Sequence, residues 1–402
     1  MAATQTILDK RIQFNISLCK KSNGTKINLQ RAAQNIVELQ RGLTGKRTLV
    51  GNAYMQKAAS LQAYLLYYWP VSYAQTTAAL QREPRFIETV QKIKERPIRI
   101  LDLGSGPAPA SCAIADLVQG RGEQNLRFEF FLYDSSGDAL SLGKKILEAA
   151  YAKNASVETR VCNLENVFQP KNGAAFLDGK KFDFIIASHS LNELWKGQKK
   201  RGEKIAALLK NLSACLEDDG LLLLMEPALL STSRALLEAR DALIQSGMAV
   251  LSPCLCSQAP CPAVENPNAT CHFAFDWEMP SIVADLARFA GLNRADVKMT
   301  YFVFGRNGSQ CQEAVQDQEA AAALVVSEPM LNKAGRIRYV LCDGKSRFTL
   351  SAKNGDPNAA AQGFFDLKRY DKIQIEGAQV RSQKGEPLSL GFDDNTRLEF
   401  LL

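Results

Sequence analysis

Ten cysteines stand among 402 residues, and they are unevenly placed. Cys254, Cys256, Cys261 and Cys271 fall within eighteen residues, in the stretch Pro253-Cys254-Leu255-Cys256-Ser257-Gln258-Ala259-Pro260-Cys261-Pro262 continued by Thr270-Cys271-His272-Phe273. A free cysteine is usually a small buried hydrophobe, a role that suits Cys19, Cys112, Cys162 and Cys215. Random burial does not explain four in a polar, proline-rich loop. Disulfides are rare in a reducing compartment, so the loop reads as a metal site. Thiolates suit zinc and iron–sulfur clusters. The spacing C-x-C-x4-C-x9-C matches neither a paired-CxxC zinc ribbon nor a ferredoxin run, which leaves the metal open. The loop thiols could complete the site unaided, or the distant Cys342 could supply a ligand and lock its own domain onto the rest.

A second group is Leu101-Asp102-Leu103-Gly104-Ser105-Gly106-Pro107-Ala108. Glycines at the carboxyl end of a strand let the backbone turn sharply and approach a ligand. About 30 residues on, a second strand ends at Asp134, where an acid can hold ribose hydroxyls. A third ends near Asn163-Leu164, where an adenine edge would lie. Pro109 takes the place of the last glycine of the GxGxxG dinucleotide fingerprint. The spacing is more similar to class I S-adenosylmethionine-dependent methyltransferases, with Ala108 in place of their third glycine. The resemblance implies cofactor-binding roles for Asp102, Gly104, Ser105, Gly106, Asp134, Asn163, Leu164 and Ser188.

The fourth strand leads into Ser188-His189-Ser190-Leu191-Asn192-Glu193-Leu194, which is not the Asn/Asp-Pro-Pro-aromatic motif of base-amine methyltransferases. His189, Asn192 and Glu193 are the catalytic candidates if the protein is an active enzyme. Capping the next helix and lining the cofactor pocket is the favoured alternative.

These residues need a scaffold. From Pro97 short apolar runs alternate with helical stretches: strands at 98–103, 127–133, 157–161, 182–187 and 221–225, helices at 111–118, 137–152, 199–215 and 231–247, and Thr300–Phe304 as a last strand. That texture predicts a doubly wound parallel sheet, here a Rossmann-like class I methyltransferase sheet over 97–306 that includes the Cys-rich loop 250–275. Residues 28–93 show helical periodicity, with one helix ending before Pro70, so 1–96 reads as a helical N-terminal domain. Its aromatic run Tyr64-Leu65-Leu66-Tyr67-Tyr68-Trp69 reads mostly as packing core. The alanine-rich stretch 307–333 reads as a linker and 334–402 as a small β domain, with a barrel as one form it could take.

Apolar residues make up 46% and charged residues 23% of the chain, an ordinary globular balance that excludes general disorder. No apolar run approaches the roughly 20 residues a bilayer span needs. The N-terminal stretch lacks the pattern of a secretory signal. A bacterial cytoplasm is the expected compartment, with the mitochondrial matrix as the alternative. Residues 1–96 carry fifteen Lys/Arg against five Asp/Glu, a charge of +10 in a chain whose total is +7. The excess sits at Lys20-Lys21, at Lys46-Arg47 and between Arg82 and Arg96. It reads either as a solvated helical surface or as a face for a polyanion.

Several stretches together resemble the Rsm-twenty-two or methyltransferase-like-seventeen family of small-ribosomal-subunit assembly factors. They are Asp102 to Pro107, Ser188 to Leu194, Glu226-Pro227 with Arg240-Asp241, Pro253-Cys254, Cys261-Pro262, Cys271-His272-Phe273 and Leu341-Cys342. Ala63-Tyr64-Leu65, Pro70 and Tyr73-Ala74 add to them. The resemblance implies a four-iron, four-sulfur (4Fe-4S) cluster on Cys254, Cys261, Cys271 and Cys342. Cys256 stands where the family often has histidine and is a rival ligand. The resemblance also implies binding to small-subunit rRNA and a subunit precursor, by a chain that is a monomer when free. An active RNA methyltransferase, or a small-molecule methyltransferase braced by zinc, are the competing readings.

Overall fold

A computed structural model of the chain describes residues 2–23, 27–45, 54–120, 126–167, 177, 179–306, 320–383 and 386–401. The apolar runs after Pro97 form one sheet: β1 (Ile98–Leu103), β2 (Phe128–Asp134), β3 (Ala155–Val161), β4 (Phe182–Ser188), β5 (Leu216–Pro227), β6 (Ala249–Ser252), β7 (Phe273–Asp276) and β8 (Asp296–Gly305). The order is β3-β2-β1-β4-β5-β8-β6, with β7 also paired to β8. β3, β2, β1, β4 and β5 are parallel. β8 runs antiparallel to β5, and β6 and β7 run antiparallel to β8. Central strands such as β1 and β4 are buried almost throughout, as expected when helices cover both faces of a parallel sheet. The strand order reverses between β1 and β4, so a crevice opens at the carboxyl ends of those two strands. This is the class I methyltransferase arrangement the sequence led us to expect, with the antiparallel β8 inserted between β5 and β6.

The helices before β1 do not form a separate core. Leu8, Ile12, Ile36, Leu39, Tyr67, Trp69 and Tyr73 join the same apolar cluster as β1, β4 and β5. The helix Ala2–Asn23 lies in the region read as helical, although no individual helix was placed there. Its buried residues Leu8, Ile12, Asn15 and Cys19 follow helical spacing, but the polar Asn15 interrupts the stripe. Pro70 does not end a helix: a π turn at Tyr64–Tyr68 leads directly into the helix Trp69–Gln81, with Pro70 in its first turn.

Two further expectations are corrected at the C-terminal end. Part of the stretch read as a linker is strand β9 (Ala320–Val325), followed by β10 (Met330–Leu331); residues 307–319 lie outside the described residues. β9 sits between β11 (Arg336–Cys342) and β13 (Lys372–Glu376), where small alanines fit between packed layers and tertiary packing overrides weak strand propensity. With β12 (Arg347–Lys353), β14 (Gln379–Val380), β15 (Ser389–Gly391) and β16 (Arg397–Leu401), the second sheet runs β14-β15-β12-β11-β9-β13-β16. Its two ends do not pair with each other among the described residues, so the sheet is open and not a closed barrel. It has its own apolar core, although Leu324, Val326 and Tyr370 join the core of the first sheet.

Candidate cofactor cavity and cysteine site

The crevice at the strand ends is a cavity of about 700 Å³, in the range of ligand pockets. Gly104 and Gly106 form its floor beside β1, both with left-handed backbones (φ +67° and +51°). A Cβ on Gly104 would lie 2.4 Å from the Cβ of Ser190, so glycine is required there by conformation and by space. Asp134 holds the turn in place: Oδ2 accepts the Gly106 N–H at 2.8 Å and Oδ1 accepts the Ser136 N–H at 2.8 Å. Burial raises its pKa, opposed by those N–H groups. Asn163 and Leu164 line the cavity beyond it, and Ser188, His189, Asn192 and Glu193 line the β4 side.

Asp102 and Ser105 are not among the lining residues. Asp102 is buried beneath the turn and accepts a hydrogen bond from the Ser111 hydroxyl at 2.7 Å, which fixes the following helix. Burial pushes its pKa up to about 7.

The catalytic candidates are mostly engaged with protein groups. His189 has a left-handed backbone (φ +58°), and its Nε2 is 2.8 Å from Gln75 Oε1, so Nε2 carries the proton. Burial, reinforced by Arg294, lowers its pKa to about 4, which leaves the ring neutral at pH 7. Asn192 donates from its backbone N–H (2.9 Å) and Nδ2 (2.7 Å) to Glu226 at the end of β5, and from Nδ2 to the His189 carbonyl. Burial raises the Glu226 pKa to about 8. Glu193 Oε1 accepts from the Tyr54 hydroxyl at 3.4 Å. Asn192 therefore staples β4 to β5; it does not cap the next helix, Arg201–Ala214, whose N-cap Lys200 makes no side-chain capping bond.

The roof was missed in the sequence. Gln40, Tyr54, Met55, Tyr64, Tyr68, Ser72 and Gln75 come from the N-terminal helices and close the cavity from above. Met55 stands over Gly106, and Trp69 Nε1 donates to the Pro107 carbonyl at 3.0 Å. The signal was present in the aromatic run: Tyr67 and Trp69 are core, whereas Tyr64 and Tyr68, one helical turn apart, face the cavity. The Arg82–Arg96 cluster is also partly used inside the protein. Arg82 donates to the Tyr370 carbonyl at 2.5 Å, Lys92 pairs with Asp219 at 2.7 Å, and Arg96 takes both oxygens of buried Asp183 at 2.7 Å. Lys46-Arg47 lie outside the described residues.

The cysteine site lies at the junction of the two sheets. Cys254 follows β6, Cys261 begins a short 3-10 turn, Cys271 precedes β7, and Cys342 ends β11 of the second sheet. Burial raises the thiol pKa of Cys254, of Cys261 (to about 12) and of Cys342; neighbouring thiols of the set add to each shift. The four thiols thus share one neighbourhood. Among the described residues, no group of three or more His, Cys, Asp or Glu is arranged to hold a metal ion. Cys256 is disulfide-bonded, which removes the free thiolate a rival ligand would need. Protein contacts brace the loop as well. Arg347 donates to the Thr270 carbonyl at 3.1 Å and Arg369 to the His272 carbonyl at 3.3 Å, so two arginines of the second sheet grip both sides of Cys271. The Cys271 thiol is 3.4 Å from the Tyr370 hydroxyl.

Residues 58–359, well over half of the chain, match the family described as "Mitochondrial small ribosomal subunit Rsm22". The chain belongs to the Rsm22 family. No curated protein matches it. Among solved structures this Rsm22-family chain is similar to a SAM-dependent methyltransferase from Agrobacterium tumefaciens, at 15% identity over 43% of this chain and 50% of that one, with a TM-score of 0.30. It is also similar to ribosomal protein L11 methylase from Lactobacillus delbrueckii subsp. bulgaricus (16% identity, 41% and 68% covered, TM-score 0.26). A third is the magnesium protoporphyrin IX methyltransferase of Synechocystis, determined with bound SAH (11% identity, 68% and 100% covered, TM-score 0.33). The chain spans half the length of the Agrobacterium protein. Strand order and the family match carry the fold assignment. Among the described residues no helix is long and apolar enough to cross a membrane.

Proposed function

We propose that this Rsm22-family chain is a small-ribosomal-subunit assembly factor that binds S-adenosylmethionine in the roofed cavity, holds an iron–sulfur cluster on Cys254, Cys261, Cys271 and Cys342, and binds rRNA. The observation that carries the cofactor reading is the cavity itself. A glycine turn at the switch point, an acid at the end of β2 and the Asn163 amide just after β3, its Oδ1 accepting the Glu165 N–H, stand in the order a nucleoside needs. In that reading Asp134 takes the ribose hydroxyls with its remaining lone pairs, and Asn163 and Leu164 meet the adenine. When bound, the cofactor offers an electrophilic methyl group. The chain's own residues offer little to activate an acceptor: His189, tied to Gln75 and with its pKa lowered to about 4, is a weak base, and Asn192 is spent on Glu226. That balance favours a ligand with a structural or regulatory role over rapid turnover. Methyl transfer to rRNA is the competing reading.

Four thiols and no carboxylate form a soft donor set that fits a cluster or zinc. The thiols are near enough to perturb one another yet do not close on one ion. The donor set admits either metal, and the family resemblance is what points to the cluster over zinc. rRNA binding is supported by the family and by exposed cations at Lys10, Lys20, Arg31, Arg41, Lys57 and Lys94, with Lys199 and Lys200 in the segment that follows the cavity lip at Leu194. The subunit the family name specifies makes the mitochondrial matrix a natural compartment, with a bacterial cytoplasm as the other. Within the chain, we take the two sheets as the domain units, with the helices before β1 as the roof of the first.

Titration calorimetry with S-adenosylhomocysteine tests the cavity, and saturable binding lost in Gly104→Val is the expected result. No heat from wild type would overturn it. Binding to a small-subunit rRNA fragment should fall steeply between 50 and 200 mM salt, by about 10³-fold for six or more phosphate contacts. Salt-independent binding, or none, would remove the rRNA reading. Transfer of labelled methyl to subunit precursors would promote the enzyme reading.

A further inference from the structure

Arg240 is one of the largest fully buried side chains of the protein and lies in the helix Leu230–Gln245 behind the cysteine loop. Its side chain is 1% exposed. Nη1 donates to Asp241 Oδ1 at 2.5 Å and to the Gln258 carbonyl, inside the loop, at 2.9 Å. The guanidinium charge also acts electrostatically on the Cys254 and Cys261 thiols. Nε has no partner. Asp241 is the one acid paired to this cation, and it is shared: both its oxygens accept the Cys261 N–H, at 3.1 and 2.9 Å.

A buried cation with one shared carboxylate is costly in a protein interior, where unpaired charge is penalised by several kcal/mol. Arg347, half-buried, also has an Nε without a partner and donates to the Thr270 carbonyl, but two other arginines near the site differ. Arg82 keeps 38% of its side chain exposed, and Arg369, at 10%, pairs with the exposed Glu328. Neither contacts a thiol of the set. With neutral thiols, Arg240 braces the loop through Asp241 and the Gln258 carbonyl, but its positive charge has only that one shared carboxylate to answer it. With four thiolates around a metal group, the same spot needs positive charge.

We propose that Arg240 is the fixed counter-cation of the metal group held by Cys254, Cys261, Cys271 and Cys342, and that it sets how firmly the group is retained and, for a redox-active cluster, its reduction potential. The inference rests on the metal reading above and adds to it a residue that is not a ligand. Asp241 plays the complementary part: it orients the guanidinium and fixes the backbone of Cys261.

The test compares full-length wild type, Arg240→Lys, Arg240→Met and the pair Arg240→Met with Asp241→Asn, all purified without oxygen. The double variant removes both charges and strands no buried carboxylate, so it reads the role of the cation even where the single variant folds poorly. Each protein is challenged with a chelator while metal content and absorbance are followed. Groups around a metal's own ligands typically change affinity 10–100-fold, so both methionine variants should lose metal about 10–100-fold faster than wild type, and lysine should restore retention in part. For an iron–sulfur group the one-electron potential should fall when the cation is removed, by about 59 mV for each tenfold change in the reduction equilibrium. Equal retention in wild type and the double variant overturns the inference and leaves the metal reading intact. Wild type that holds neither iron nor zinc, as purified and after reconstitution, overturns both.

Discussion

The cavity and the cysteine site differ in what builds them. The cavity floor comes from consecutive strand ends of one sheet, β1 to β4, and is complete once those strands pair. The cysteine site draws three thiols from a long loop and the fourth from a strand of another sheet. Backbone donors already satisfy the carboxylate at the heart of the cavity, whereas the thiols have mostly one another, Tyr370 and Arg240. A site made by topology can stand empty at little cost. A site made by convergence needs its guest, or substitutes such as Arg347 and Arg369, to stay assembled. The cavity should therefore survive loss of the metal group, and the metal site should fail when either sheet lets go.

The largest expected effect is at the junction. Cys342→Ser should abolish metal retention and expose residues 320–401 to protease, while the affinity for S-adenosylhomocysteine stays within about twofold. An equal loss at both sites would erase the distinction. Unchanged metal content would show that the second sheet contributes no ligand. Next comes Arg11→Met. Arg11 pairs through two nitrogens with Asp116, a carboxylate 2% exposed that also accepts from Tyr73 and Tyr151. Stranding that charge should cost about 3 kcal/mol of unfolding free energy, with ligand and metal content unchanged in the folded fraction. A change below about 0.5 kcal/mol would show that the helix Ala2–Asn23 is loosely held.

Asp134→Asn sharpens the cavity half. It keeps one acceptor for Gly106 but leaves the Ser136 N–H without its carboxylate oxygen, so calorimetry should show about tenfold weaker binding of S-adenosylhomocysteine, roughly 1.4 kcal/mol, alongside a stability loss of about 1 kcal/mol. Unchanged affinity would take Asp134 out of the ligand contact. The smallest effect is on pH dependence. His189 binds its proton less readily when folded than when unfolded, so its contribution to stability is full above about pH 6.5 and is lost as pH falls toward 4. His189→Gln should flatten the stability profile across that window, by at most about 1.4 kcal/mol per pH unit. An identical profile would mean that the ring reaches solvent.

The same contrast explains what could be read in the chain. Gly104, Gly106 and Asp134 were legible because they stand at the ends of short apolar strands, and Asn163 because strand-to-helix alternation fixes where the next strand end meets them. The cysteine cluster was legible as a cluster, since four cysteines in a polar loop have no bland explanation. Its place against Cys342 followed from a family resemblance and not from spacing. The roof was hidden because Tyr64 and Tyr68 share a helix with the core residues Tyr67 and Trp69, and no local pattern says which face meets a cavity. β9 was hidden because alanine favours helix or loop until neighbouring strands enclose it. The basic excess before β1 was visible as a number, but the pairing of Arg11, Lys92 and Arg96 with distant acids was not. Charge totals overstate the face left for RNA.

The central claim is that four cysteines from two sheets hold one metal group while the cavity stands by itself. Iron and acid-labile sulfide analysis, with an absorption spectrum, on wild-type protein purified without oxygen tests it most directly. Equal amounts of iron and sulfide with a broad visible band, all lost in Cys342→Ser, is the predicted result. A colourless protein with zinc alone would contradict the cluster, and a protein whose iron is unaffected by Cys342→Ser would contradict the assembly of the site from both sheets.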